Sequence, residues 1–122
     1  MAKTVHNDVL DGALNIIKNN CNLMTVCSAE PTSRTEAVTT YALGDVSMSS
    51  GDFSVAEGDV SGRKVIVGSK SSVNVDSTGT GTHVALSDGS RLLYVTTCTS
   101  QALTSGNTIT FPAWDIEIAD PS

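Results

Sequence analysis

After Asn20 the apolar residues of this chain change from helical spacing to the alternation of strands, and they do not change back. Before that point Val9, Leu10, Ala13, Leu14, Ile16 and Ile17 recur at i, i+3, i+4 and i+7, the stripe of one amphipathic helix. Thr4 or Asn7 can cap its start, and Asp8 and Asp11 sit where the helix dipole favours negative charge. Lys18 falls in the last turn, and Asn19-Asn20 can end the helix in the left-handed conformation. Beyond it, short apolar runs are cut repeatedly by Gly, Asp, Ser, Asn and Pro. The strand candidates are Leu23–Ser28, Ala37–Ala42, Lys64–Val67, Val73–Val75, His83–Leu86, Leu92–Thr97, Thr108–Phe111 and Asp115–Ile118. Ser87-Asp-Gly-Ser90 and Thr104-Ser-Gly-Asn107 have the residues that tight turns prefer. The expected fold is mainly β, an antiparallel β-sandwich or small barrel with one N-terminal α-helix. Residues 1–20 form the helix, which can be an arm, and residues 21–122 a single β-domain.

At 122 residues the chain is long enough to bury a core without a metal or disulfide staple. Its net charge is −6, and seven basic residues scattered along it cannot build a phosphate-neutralising face, so neither nucleic acid nor an anionic membrane is an expected partner. The first residues contain no continuous apolar run, and acidic residues interrupt them, so they read as neither signal peptide nor transmembrane span. A cytoplasmic site of synthesis is expected, and an odd count of three cysteines fits a reducing compartment.

Three Gly-Asp-apolar-Ser units begin at Gly44, Gly51 and Gly58. Glycine and the short polar residues favour turns, so the stretch reads as a repeatedly bent segment with Val46, Phe53 and Val60 pointing inward. Calcium binding would need more acidic ligands and a closing Glu, which the units lack.

Catalytic patterns are not found. His6 and His83 have no Cys or Asp at ligand spacing, and Cys21-x5-Cys27 is not a zinc knuckle. No Gly-x-Ser-x-Gly occurs, and Gly79-Thr-Gly81 lacks the Lys-Ser/Thr of a phosphate cradle. Asp115 and Glu117 share one face of a strand and read as solvated rim residues. No cofactor and no metal is expected. Cys27 and Cys98 read as small buried residues in facing or neighbouring strands. Cys21 lies in the polar loop Asn-Asn-Cys-Asn and is the cysteine expected at the surface, as a contact or cross-link between subunits. Trp114, the only tryptophan, either packs the core, which is the favoured reading, or anchors a contact with another chain. Ile116, in the strand nearest the C-terminus, belongs to a segment either tied into a sheet or donated to a neighbour. If the helix is an arm, Leu14 and Ile17 of its stripe become binding residues.

Several segments together carry a resemblance. They are VHNDVLDGALNIIKNN, MTVCSAEPT, EAVTTYALGDV, GDFSVAEGDVSGRKV and RLLYVTTCTSQALTSGNTITFPAWDIEIADP, spanning nearly the whole chain. In this order they resemble the small virion-associated structural proteins of tailed bacteriophages, and the role implied is capsid decoration, or cementing. The resemblance implies a non-enzymatic protein on the outer surface of the phage head, with the major capsid protein and further copies of itself, as trimer or dimer, for partners. It carries over no site residue. The alternatives are a neck or tail structural component and a receptor- or glycan-binding module. The latter is disfavoured because only Tyr41, Tyr94 and Trp114 could stack on a sugar.

Overall fold

The computed structural model describes residues 5–119. Helix α1 spans Asn7–Asn20. Its N-cap is His6, an extended residue whose Nδ1 accepts from the Asp8 amide at 3.0 Å. Asn7 is therefore the first helical residue rather than the cap, and Thr4 lies outside the described residues. At the far end Cys21 is extended (φ −63°, ψ 124°), so no left-handed residue stops the helix. The last carbonyls are met instead by the Cys21 amide on Ile17 and the Asn20 side-chain amide on Ile16.

In this structure the helix packs on the sheets, with Leu14 and Ile17 in the main core. Leu10, Leu14 and Ile17 are buried. Burial of such a side chain stabilises by about 1.5–3 kcal/mol. Only one side of the apolar stripe is used, and Val9 and Ile16 remain 65 % and 45 % exposed.

Nine strands follow: β1 (Leu23–Cys27), β2 (Ala42–Ser47), β3 (Phe53–Glu57), β4 (Arg63–Val67), β5 (Lys70–Asn74), β6 (Gly79–Ser87), β7 (Leu92–Leu103), β8 (Thr108–Phe111) and β9 (Trp114–Ile118). They form three antiparallel sheets, ordered β2-β1-β6-β7, β3-β4-β9 and β5-β8. The architecture is sandwich-like, and among the described residues no barrel closes. Side-chain alternation explains the layers. Met24 and Val26 of β1, Val84 and Leu86 of β6, Val65 and Val67 of β4, and Ile116 of β9 all enter one main core with Leu14 and Ile17. The other face of β1 and β6 gives Cys27 and Ala85 to a second, smaller cluster with Ala37. Strand β1 is thus covered on both faces.

Three expectations need correction. Residues 36–40 are a π-helical turn (Glu36–Thr40), and β2 begins only at Ala42. Local polar groups nucleate the turn. Ser33 Oγ accepts from the Glu36 amide, and Glu36 Oε1 accepts from both the amide and hydroxyl of Thr32. These bonds outweigh the strand preference of Val38 and Thr39. The Gly-Asp repeat is likewise not one bent segment. Its first unit lies inside β2, and its second forms a 3-10 turn (Ser50–Asp52) leading into β3. The third is the β3–β4 hairpin turn. Gly44 is needed where β2 passes Val75: a Cβ there would meet the Asn74 carbonyl oxygen at 2.7 Å. Val46 packs partly against the core and Phe53 is buried, but Val60 is 97 % exposed. Gly62, at φ +73°, and the Gly58 amide bonded to Gly62 oxygen close that turn and leave Val60 at its tip. Finally, β7 runs six residues past the expected end at Thr97, to Leu103.

Candidate functional site

A cleft lies where β7, β8 and β9 approach one another without pairing. Strand β7 pairs only with β6, β8 only with β5, and β9 only with β4, and residues of all three strands line the cleft. Two adjoining hollows of about 250 and 440 Å³ occupy it, sharing Val84, Cys98, Phe111 and Pro112 in their walls. The floor belongs to the main core, because Val26, Val84, Leu103 and Phe111 are all buried members of it.

Two local features shape the cleft. One is a bulge in β7. Between the pairs Gly81–Gln101 and His83–Thr97, three residues of β7 (Cys98, Thr99 and Ser100) stand against the single Thr82 of β6. A bulge bends its strand and re-aims side chains, and here Cys98 and Thr99 join the lining. The other is the corner Pro112-Ala113 between β8 and β9. Pro112 supplies no amide hydrogen, so the pairing of β8 cannot continue through it. Trp114 follows, packed partly against the core with its ring centroid 6.0 Å from that of Tyr94. Its Nε1 is buried and has no hydrogen-bond partner among the described residues. An unmet buried donor of this kind costs about 1–3 kcal/mol.

Partial burial of the Cys98 thiol pushes its pKa up, which disfavours the thiolate form. Of the two histidines, His83 has its Nδ1 2.8 Å from Thr82 Oγ1, and His6 caps the helix. Among the described residues no group of three His, Cys, Asp or Glu side chains could hold a metal ion. Asp115 lies 3.5 Å from Lys64, and Glu117 accepts from the Asp59 amide, so both are engaged at the rim of their sheet.

The structure redistributes the residues singled out from sequence. Cys21, expected at the surface, is only 3 % exposed, with its thiol donating to the Leu23 carbonyl. The reason is position: it follows the helix directly and is drawn into the main core between α1 and β1. Cys98, expected to be buried beside Cys27, is the exposed one. Strand β6 separates the two, through the pairs Cys27–His83 and His83–Thr97. All three cysteines are free. Leu14, Ile17 and Ile116 are core residues and present no surface to a partner in this fold. Trp114 alone of the five residues proposed for contact borders the cleft. Sequence reasoning missed the cleft because the bulge that opens it has no residue signature; the absence of charge from Leu92 to Leu103 was its visible trace. Among the described residues no helix is long and apolar enough to cross a membrane. No protein-family model, no curated protein and no solved structure matches the chain.

Proposed function

We propose that this chain is a non-enzymatic virion structural protein of the capsid decoration type, which binds and stabilises the head lattice of a tailed phage from its outer surface. The segments quoted above resemble such proteins, and one structural observation supports the same reading. Beside a cleft of mostly apolar and hydroxyl side chains, with Asp115 at its border, runs β7, a twelve-residue strand that carries no charge and pairs only with β6, a geometry suited to receiving another polypeptide. A protein that works in this way stabilises whatever state it binds by mass action. If it binds the expanded lattice alone, it holds the shell in that form without making or breaking a covalent bond. The major capsid protein is the partner, and no cofactor takes part.

Quantitative gel analysis of purified virions tests the proposal, together with the position of the chain in an image reconstruction of the particle. Copies in the hundreds on the outer capsid surface are expected. A copy number near that of a neck or tail ring would replace this role with that of a neck or tail component.

A further inference from the structure

Most edge strands of the three sheets carry charge: Asp45 on β2, Glu57 on β3, Lys70 on β5, and Asp115 and Glu117 on β9. Charge on an edge guards it against pairing with another chain. Strand β7, the longest at twelve residues, has no such guard and pairs only with β6. In its regular part, Leu92–Thr97, every second residue turns its main-chain N–H and C=O away from β6. Side chains on its core face become smaller beside the cleft. Tyr94, opposite Leu86, packs against the core and Trp114, but the next residue on that face is Thr96, opposite Val84. Thr96 and Val84 share the wall of the larger hollow with Phe111 and Pro112, so the hollow opens beside a small side chain of β7.

Charge decides which kind of chain suits this edge. Every lysine and arginine among the described residues is already engaged within the molecule. Arg63, Lys64, Lys70 and Arg91 pair with its own carboxylates, and Lys18 and Arg34 donate to its main-chain carbonyls. Acid is in surplus, with a net charge of −6. Asp115 borders the hollow, and the Lys64 ammonium 3.5 Å from it lies closer, at 2.6 Å, to Asp59. Asp76, whose carbonyl accepts from the Ser105 hydroxyl just beyond β7, makes no ion pair with a described residue. An acidic chain, a second copy included, is repelled by this surface, and a basic one is drawn to it.

We infer that the free edge of β7 receives an extended segment of a different, basic polypeptide, with one aliphatic side chain entering the hollow beside Thr96. Main-chain bonds along the edge hold such a segment, and alternate side chains select it. Lysine or arginine flanking the aliphatic residue meets Asp115 at the border. The inference deepens the proposed function: it rests on that reading for the partner's identity, the capsid protein, and on the edge and the hollow for the chemistry of the segment.

The probe is a short peptide, acetylated and amidated, with a central valine, two threonines on either side of it and two lysines at each end. The purified full chain is titrated with it, and binding is read from Trp114 emission, Cys98 reactivity toward Ellman's reagent and amide hydrogen exchange. Saturable binding is expected, with slower reaction of Cys98 and added protection of β7 amides between Leu92 and Thr97. The same peptide with glutamates for its lysines binds at least about tenfold more weakly, since like charges oppose each other across an interface. N-methylation of alternate peptide residues, which removes main-chain donors, and replacement of the valine by serine each weaken binding to a similar degree. Asp115→Lys shrinks the advantage of the lysine peptide. Asp8→Lys, on the helix and outside the cleft wall, makes the same change of charge and leaves that advantage as it was. Circular dichroism and continued burial of Cys21 and Cys27 confirm that each variant is folded. No saturable binding of the lysine peptide at millimolar concentration overturns the inference. So does equal binding of the N-methylated peptide, protection gained on a strand other than β7, or a preference that Asp115→Lys does not move. No particle is involved, so peptide binding by a chain absent from virions overturns only the proposed function. A capsid-bound chain whose β7 gains no protection overturns only the inference.

Discussion

The ammonium of Lys18 lies 2.9 Å from the carbonyl oxygen of Phe53, and at the same distance from that of Ser50. A side chain in the last turn of the helix thereby satisfies main-chain acceptors at the start of β3. At the other end of the contact, Asp11 pairs with Arg63 of β4 at 2.8 Å. These two polar ties bracket Leu14, so the helix is held along the β3–β4 hairpin by contacts at both ends and burial between them.

Leu14→Ala should therefore lower the stability of the whole molecule by about 2–5 kcal/mol, the range for deleting a buried leucine side chain. Leu14→Met, which nearly conserves volume, should cost less than about 1.5 kcal/mol. Urea unfolding followed by Trp114 emission measures both. Removal of residues 1–20 should leave a remainder without a cooperative transition, because Phe53 and Val65 lose their cover; a sharply unfolding remainder would return the helix to the status of an arm.

At Gly44 the addition of a single methyl group should be felt. The new Cβ would meet main-chain oxygen of Asn74 at 2.7 Å, which a backbone can relieve only by moving. Gly44→Ala is expected to cost about 1–3 kcal/mol, the usual penalty for overpacking. Gly89→Ala, where a Cβ meets nothing within 4 Å, is the matched control.

Asp88 sets an acid limit to stability. Hydrogen bonds from the Ser90 amide, then the Arg91 guanidinium and amide, hold its pKa down to about 2. An unfolded aspartate titrates near pH 3.9. The depressed value means that its contribution is fully present above about pH 4 and is lost as the pH falls toward 2. Asp88→Asn should accordingly be less stable than wild type at neutral pH and flatter between pH 4 and 2, with the two converging at the acid end. Denaturation midpoints across that range decide it; parallel curves would mean that Asp88 has no special part.

Thiol titration separates the cysteines. In dilute native protein one thiol, Cys98, should react with Ellman's reagent, while Cys21 and Cys27 react only on unfolding. The pKa of Cys98 is raised, so its rate should climb on the alkaline side of an ordinary thiol's profile. Cys98→Ser should abolish the fast reaction. A native reaction that survived this change would mean that the core around Cys21 opens.

The class of fold was legible because period and punctuation were strong. The i, i+4 spacing of Leu10 and Leu14 marked the helix, and the strand candidates at 64–67, 108–111 and 115–118 lie within β4, β8 and β9. The misses have physical causes outside any periodicity. The turn at Glu36–Thr40 depends on side-chain bonds from Thr32 and Ser33, which compete with the β preference of Val38 and Thr39. Burial of Cys21 depends on where the helix docks, and its polar neighbours Asn20 and Asn22 pointed the wrong way. Val60 looked like Val46 and Phe53 because repeat units fix local chemistry, whereas the sheet decides which unit becomes its turn. The cleft depends on which strands fail to pair, information that no single segment holds.

Strand β1 sits between two partners made at different times. Its pairing with β2, from Leu23–Ser47 to Cys27–Ala42, closes early in the chain, but its pairing with β6 joins Leu23 to Ser87 and Cys27 to His83. In the same way β4 waits for β9, joining Arg63 to Ile118. On a ribosome these pairings cannot form until nearly the whole polypeptide has emerged. Loop-closure entropy then precedes the reward of contact, which places folding in the millisecond-to-second range of sheet proteins. Through that interval the β6–β7 hairpin, which pairs locally over Gly79–Leu103, carries the uncharged edge of β7. A long edge without charge is a template for pairing with any other chain, so each delay in closing β1 and β4 lengthens the time in which misassembly competes with folding.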